Sequence, residues 1–395
     1  MKKGQKMKNY KWLLFLPLTL VLLLVCSGTS FAQGNGIADP LAAIADDQKY
    51  NRAIHIMAML LLGFGFLMVF VRKYGRSALT ATFLLVSIAL PIYMWMKSSN
   101  IFGEHVSEID CLIYAEFAAA SLLITAGAVL GRLKMPQYIL MGALFIPCYM
   151  LNEWIVLGNG LNLIPKGAVA DTGGSIVIHA FGAIFGLGVA LTMTTKQEME
   201  KPIEADATSD RYSMLGSMVL WIFWPSFCGA LVPMEALPHT VINVILALCG
   251  STLVTYVASV GLRGKISLAD IANAALAGGV AIGATCDHAT FMGAIIIGAL
   301  AGGLSTFGFA VIQTKQQRLM KIIDTCGVSN LHGLPGLMGG LAALPIVKGL
   351  NMGHQLFGIA ITIVIAITGG FIVGKILPIL GRKTEVYDDA DEFME

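Results

Sequence analysis

Apolar stretches of about 20 residues, the length that carries an α-helix across the hydrocarbon core of a bilayer, recur eleven times along this chain with short polar breaks between them. Inside lipid every backbone N–H and C=O must find its partner within the protein, so a spanning chain folds as helices or as a closed barrel. Continuous apolar runs of this length select helices. They lie at roughly 51–71, 77–97, 109–131, 137–157, 173–194, 213–232, 239–262, 267–285, 290–312, 325–346 and 355–378. The predicted fold class is all-α, a polytopic membrane protein in contact with the lipid bilayer. Composition agrees: 56% of the 395 residues are hydrophobic and only 13% are charged, against about 25% charged in ordinary soluble domains. A net charge of +2 with no basic tract offers nothing to nucleic acid.

The N-terminus reads as a cleavable signal peptide over residues 1–32. Five lysines lie in Met1–Lys11, an apolar core runs from Trp12 to Val25, and Ser30-Phe31-Ala32 supplies a small-residue cleavage site. A membrane domain over 33–381 follows, then an acidic tail, 382–395, expected to be mobile and too short for a module. With the mature N-terminus outside, sixteen lysines and arginines fall in the inner breaks and the tail. Five, Lys49, Arg52, Lys97, Lys166 and Lys348, fall outside. That asymmetry predicts an outside N-terminus and an inside C-terminus in a cytoplasmic (inner) membrane.

Two segments place ionisable groups where lipid would otherwise be expected: DTGGSIVIH, from Asp171 to His179, and DTCGVSNLH, from Asp324 to His332. Such groups by default face a protein interior or a pore. The shared eight-residue spacing suggests an internal duplication. Segments 1–5 and 6–10 would have opposite topology, with the eleventh as an extra, an inverted repeat of the kind used by transporters. Asp171 then lies at the outer end of helix 5 and Asp324 at the inner end of helix 10. At 1.5 Å per residue each histidine sits about 12 Å further in, so the two approach the midplane from opposite faces. Glycines four apart, Gly182/Gly186, Gly279/Gly283, Gly298/Gly302 and Gly336/Gly340, suit close helix packing. No HExxH, C-x-x-C, GxxxxGK[ST] or plausible nucleophile triad is present, so no enzyme, metal site or cofactor is predicted.

The blocks FAAASLLITAGAVLGRLK (117–134), DTGGSIVIHAFGAIFGL (171–187), LWIFWPSF (220–227), NAALAGGVAIGATCD (273–287) and DTCGVSNLHGLPG (324–336) resemble the ammonium transporter (Amt/Mep/Rh) family, and more closely its Rhesus-type branch. The resemblance implies a homotrimer of eleven-helix protomers, each with its own pore for ammonium or ammonia. Two stacked phenylalanines would close the outer mouth, and two hydrogen-bonded histidines would line the channel below. Phe117 and Phe227 match the gate pair, and His179 the first histidine. The family register puts the second histidine five residues after Asp324, at Ser329; a serine can exchange hydrogen bonds with His179 but does not titrate. His332 matches a further histidine of the Rhesus-type motif, about 60° around a helix from Ser329, and is expected to serve packing unless a rotation turns it to the lumen. Asp171 matches a buried aspartate below the outer vestibule and reads as a helix cap with an indirect pull on cations, as does Asp324 at the inner mouth. Glu153, in LNEW, resembles the vestibule glutamate of the Rhesus branch.

The leading expectation is a Rhesus-type channel: ammonium recruited outside, deprotonated near the gate and conducted past His179 as ammonia. Ser329 motivates an alternative, a non-conducting sensor or structural trimer. A channel for another small neutral gas such as carbon dioxide is a third. No motif identifies a cytoplasmic regulator.

Overall fold

The computed structural model describes residues 40–394; the signal-peptide expectation lies outside them. Among the described residues there is no strand, and the chain makes eleven helical passes. These are α1 (Pro40–Phe70), α2 (Gly75–Ser98), α3 (Glu108–Ala128), α4 (Met135–Leu157) and α5 (Ser175–Met193). The second half supplies α6 (Ala207–Cys228), α7 (Leu237–Arg263), α8 (Leu268–Ile282) and α9 (Phe291–Met320). α10 covers residues 329–346, and α11 is Met352–Leu380. Eight of the eleven are long and apolar enough to cross a membrane unaided. The others are α6, with a polar first turn, and the short α8 and α10.

Capping explains where the observed ends differ from the apolar runs. α6 starts six residues before its run because the Asp206 carboxylate accepts from Thr208 N and Ser209 N, satisfying donors that the helix itself cannot. α8 is interrupted between Ala274 and Ala277. α10 begins four residues into its run, because the stretch after Asp324 forms a turn that returns to the carboxylate.

α3 and α5 occupy the centre and are buried over most of their length. The paired glycines bring the surrounding helices into contact. A Cβ on Gly298 of α9 would stand 1.9 Å from Ala247 O of α7, and one on Gly182 of α5 would stand 2.5 Å from Ser121 O of α3. Only hydrogen at these positions lets the backbones approach so closely.

The acidic tail, expected to stand free, is docked on the bundle. Arg382 Nη1 donates to Met193 O at 2.7 Å, and Tyr387 N donates to Gly131 O at 2.9 Å. The Tyr387 ring covers Gly131, whose φ of +79° and proximity to that ring leave no place for a side chain. Asp389 accepts from the backbone and side chain of Arg76, and Glu392 accepts from Ser77 Oγ and from Lys383 Nζ. The correction has an electrostatic cause: the tail's carboxylates meet the basic break between α1 and α2. Tyr387→Ala is expected to destabilise the protein by on the order of 3 kcal/mol through the cavity it leaves, read as a lower thermal midpoint in detergent. An unchanged midpoint would mean that the tail's docking contributes nothing to the fold.

Candidate functional site

Both Asp–His segments break their helices in the same way. Asp171 Oδ1 and Oδ2 accept from Ile176 N, and Oδ2 also from Val177 N, at 2.8 to 3.1 Å. Asp324 accepts from Val328 N and Ser329 N, both at 2.9 Å. Each carboxylate thus serves the first free N–H groups of a helix that starts inside the protein. Three residues after each aspartate stands a left-handed glycine, Gly174 at φ +75° and Gly327 at φ +66°, where the chain turns to present those N–H groups. A π-helical turn follows in both halves, over Ser175–Ala180 and Ser329–Gly333. Such bulges are frequent at functional sites. On the α5 side the Ser121 and Thr125 hydroxyls of α3 donate to Ile178 O and Gly182 O, both at 2.8 Å, bracketing His179.

The two histidines meet. His179 Nδ1 lies 3.1 Å from His332 Nδ1, with ring planes 8° apart and centroids at 5.2 Å. Both side chains are buried. The expected register is therefore corrected: His332, not Ser329, stands opposite His179. Ser329 gives its N–H to Asp324 and turns its hydroxyl to Gln316 Oε1 at 3.3 Å, at the end of α9. The wide π turn carries the inward-facing position past 329, and the eight-residue spacing from aspartate to histidine is the register that holds in both halves.

A hydrogen bond between two Nδ1 atoms needs one donor and one acceptor. In the neutral pair one ring then carries its proton on Nδ1 and exposes an Nε2 lone pair, while the other carries it on Nε2. The pair shares one proton across its centre and presents an acceptor at one outer edge and a donor at the other. His179 Nε2 is buried with no hydrogen-bond partner among the described residues.

Aromatic rings continue the line on both sides. Towards the Asp171 end, Phe227 lies 6.1 Å from His179 and packs on Phe117 at 4.7 Å. Phe117 meets Tyr114 edge-on at 6.4 Å. Trp224 stacks on His179 at 5.5 Å and 18°, and Phe64 on His332 at 6.3 Å and 24°. Beyond His332 a partly open space of about 20 Å³ is lined by Phe64, Leu67, Leu123, Gly127, Val328 and Leu331, room for roughly one small molecule. Glu153 stands apart from this line, accepting from Tyr93 Oη beside the turn of Phe102, which packs on Trp154.

The structure thus brings together His179, His332, Phe117 and Phe227. It puts Asp171 and Asp324 at the two anchors and leaves Ser329 and Glu153 off the central line. Trp224 and Phe64 escaped the sequence reading. Trp224 lies inside a quoted motif, LWIFWPSF, so a signal was present; Phe64 sits in an unbroken apolar run and gave none. Among the described residues no cluster of three or more histidine, cysteine, aspartate or glutamate side chains could hold a metal ion.

An all-helical bundle with two oppositely entering broken helices and paired inward histidines defines a membrane transporter built by inverted repetition. A model of the Ammonium Transporter Family matches residues 15–392, and the chain belongs to that family. It is 36% identical over 365 residues to the ammonium transporter Rh type B of Homo sapiens, covering 83% of this chain and 78% of the relative. To the Rh type B protein of Papio hamadryas it is 39% identical over 321 residues, covering 78% and 68%. Among solved structures, Nitrosomonas europaea Rh50, of the Rhesus protein family of channels, matches with a TM-score of 0.87 and 52% identity, over 89% of this chain and 93% of that one. Candida albicans Mep2 shares the fold, with a TM-score of 0.73 at 17% identity over 89% and 88%. The chain is a multi-pass membrane protein.

Two substitutions separate anchor from neighbour. Ser329→Ala loses one long hydrogen bond and is expected to cost about 1 kcal/mol or less, whereas Asp324→Ala orphans two N–H groups and is expected to cost on the order of 2–4 kcal/mol. Thermal midpoints read the cost, and ¹⁵N spectra of the imidazoles read the histidine bond. Ser329→Ala should leave that bond intact; its loss in Ser329→Ala would return Ser329 to the pair.

Proposed function

We propose that this protein conducts ammonia, taken from ammonium, through a pore in each protomer of a homotrimer. The observation that carries the reading is the hydrogen-bonded His179–His332 pair lying in line behind the packed Phe117–Phe227 rings. Phe117 and Phe227 close the path to bulk water and admit a small molecule as they turn. An ammonium ion reaching them faces an apolar, aromatic lumen in which a bare cation is costly and a neutral molecule is not. It gives up its proton to bulk water at the vestibule and passes as ammonia, hydrogen-bonding in turn to the free edges of the imidazole pair. Asp171 holds the helix that carries His179 and adds negative charge near the entrance; Asp324 does the same work for His332. Glu153 contributes to the acidic vestibule.

The cation asymmetry of the breaks supports an orientation with the Asp171 end outside and the tail inside. No soluble cofactor or energy source is invoked, so flux follows the ammonia gradient. The sensor alternative rested on a missing second histidine, and the 3.1 Å contact of His332 with His179 supports the channel reading over it. Nothing in the lumen favours carbon dioxide over ammonia.

Stopped-flow measurement on proteoliposomes with a trapped pH dye tests the reading. An inward ammonium gradient is expected to alkalinise the lumen several-fold faster than in protein-free vesicles. His179→Trp, which fills the path, should return the rate to that of empty vesicles. His332→Ala should alter it more than Ser329→Ala, which is expected to stay within about twofold of the unsubstituted protein because a shift of under 0.4 kcal/mol is that small. Folded protein whose rate equals that of empty vesicles would sink the channel.

A further inference from the structure

The Asp171 end carries an ammonium group of the chain's own. Lys97, in the last turn of α2, places its Nζ over the ring of Tyr114, 5.8 Å from the centroid, and donates to Phe102 O at 3.4 Å. The turn beneath it is shaped for that group. Gly103 has φ +87°, and a Cβ there would stand 3.3 Å from Lys97 Nζ. Phe102 is held against Trp154, with centroids 5.7 Å apart. The Glu153 carboxylate, the residue before Trp154 on α4, feels the charge of Lys97. Tyr114 in turn touches Phe117 edge-on at 6.4 Å.

A ring face, a carbonyl oxygen and a nearby carboxylate are the groups that bind an ammonium ion. The hold on Lys97 is loose. The cation–ring distance is near the outer limit of the interaction, the hydrogen bond is long, and no ion pair fixes the lysine among the described residues. A lysine at a helix C-terminus also suits the helix dipole, but the dipole does not require an aromatic face or a carbonyl to receive the amine.

We propose that Lys97 is a tethered occupant of an ammonium station formed by the Tyr114 ring, Phe102 O and Glu153 at the entrance to the path, and that the free ion must displace it. The proposal rests on the conduction reading above for its location and adds a residue that sets apparent affinity. Lys97 holds the station when ammonium is scarce and yields as it rises, so half-saturation lies higher than the bare station would give. Larger alkylammonium ions meet the same competitor.

The test uses Lys97→Met, which keeps the stem and removes the charge, with Lys97→Gln as a second neutral variant and Lys97→Arg as a charged control. Ammonium chloride and methylammonium chloride are titrated into detergent-solubilised protein, following tryptophan fluorescence, at 50 and 500 mM salt. Proteoliposome half-saturation is measured in parallel. Both neutral variants are expected to bind about two- to fivefold more tightly than the unsubstituted protein, at both salt concentrations. Tyr114→Ala should abolish the gain, and Lys97→Arg should not show it. A gain that vanishes at 500 mM salt would reduce Lys97 to long-range repulsion and overturn the occupancy. Equal or weaker binding in both folded neutral variants would overturn it outright. These outcomes stand apart from the channel reading: binding is scored without flux, and silent unsubstituted vesicles would count against conduction alone.

Discussion

Everything at the centre of this protein hangs on two carboxylates that take over the hydrogen bonds a helix cannot make for itself at its first turn. In lipid no water can do this, so a helix that starts part-way into the protein needs an acceptor there. Asp171 and Asp324 provide it from opposite ends, through backbone contacts of 2.8 to 3.1 Å. Each fixes the first residue of its helix, and each helix then delivers a histidine eight positions on from the aspartate. The 3.1 Å contact between the imidazoles therefore depends on two starting points on opposite sides of the bundle. A slip at either anchor would separate the rings.

The path is built less from polar groups than from aromatic faces in sequence: Tyr114, Phe117, Phe227, the two imidazoles and Phe64. In the middle of that series the imidazole pair and the buried Trp224 Nε1, which has no hydrogen-bond partner among the described residues, supply hydrogen-bonding edges. The imidazole pair thus puts its polar edges between aromatic faces, and Asp171 and Asp324 stand at the two anchors. Such an arrangement disfavours ions along the whole length and gives a small neutral donor–acceptor molecule one place to exchange hydrogen bonds.

How much of this could be read in the sequence varied with the physics behind each signal. Membrane crossings are legible because lipid enforces long apolar runs, and even the short α8 and α10 left such runs. The duplicated Asp-to-His spacing was the sharpest guide to the site, since it records the same anchored turn twice. Counting by family register led instead to Ser329, because it used a five-residue offset from Asp324 where the fold repeats the eight-residue offset of the first half. The tail was misread from composition: DDADE looks solvated until Arg76 and Lys383 are brought against it by the fold. Phe64 could not be singled out, because a phenylalanine stacked on an inward histidine and a lipid-facing one look alike in an apolar run. The loop contact that seats Lys97 was equally invisible, since Gly103 matters only once Tyr114 and Phe102 are neighbours.

The docking of Tyr387 on Gly131 has a bearing on how the molecule is made. Gly131 follows directly on α3, whose last turn receives the loop of the second anchor: Thr325 N donates to Ala128 O and Cys326 N to Gly127 O, both at 3.1 Å. The seam at the end of α3 is thus made from three segments distant in sequence, the turn at Gly131, the loop at Thr325 and Cys326, and the Tyr387 ring. A change at Gly131 or Tyr387 therefore bears on the same seam that seats the second anchor.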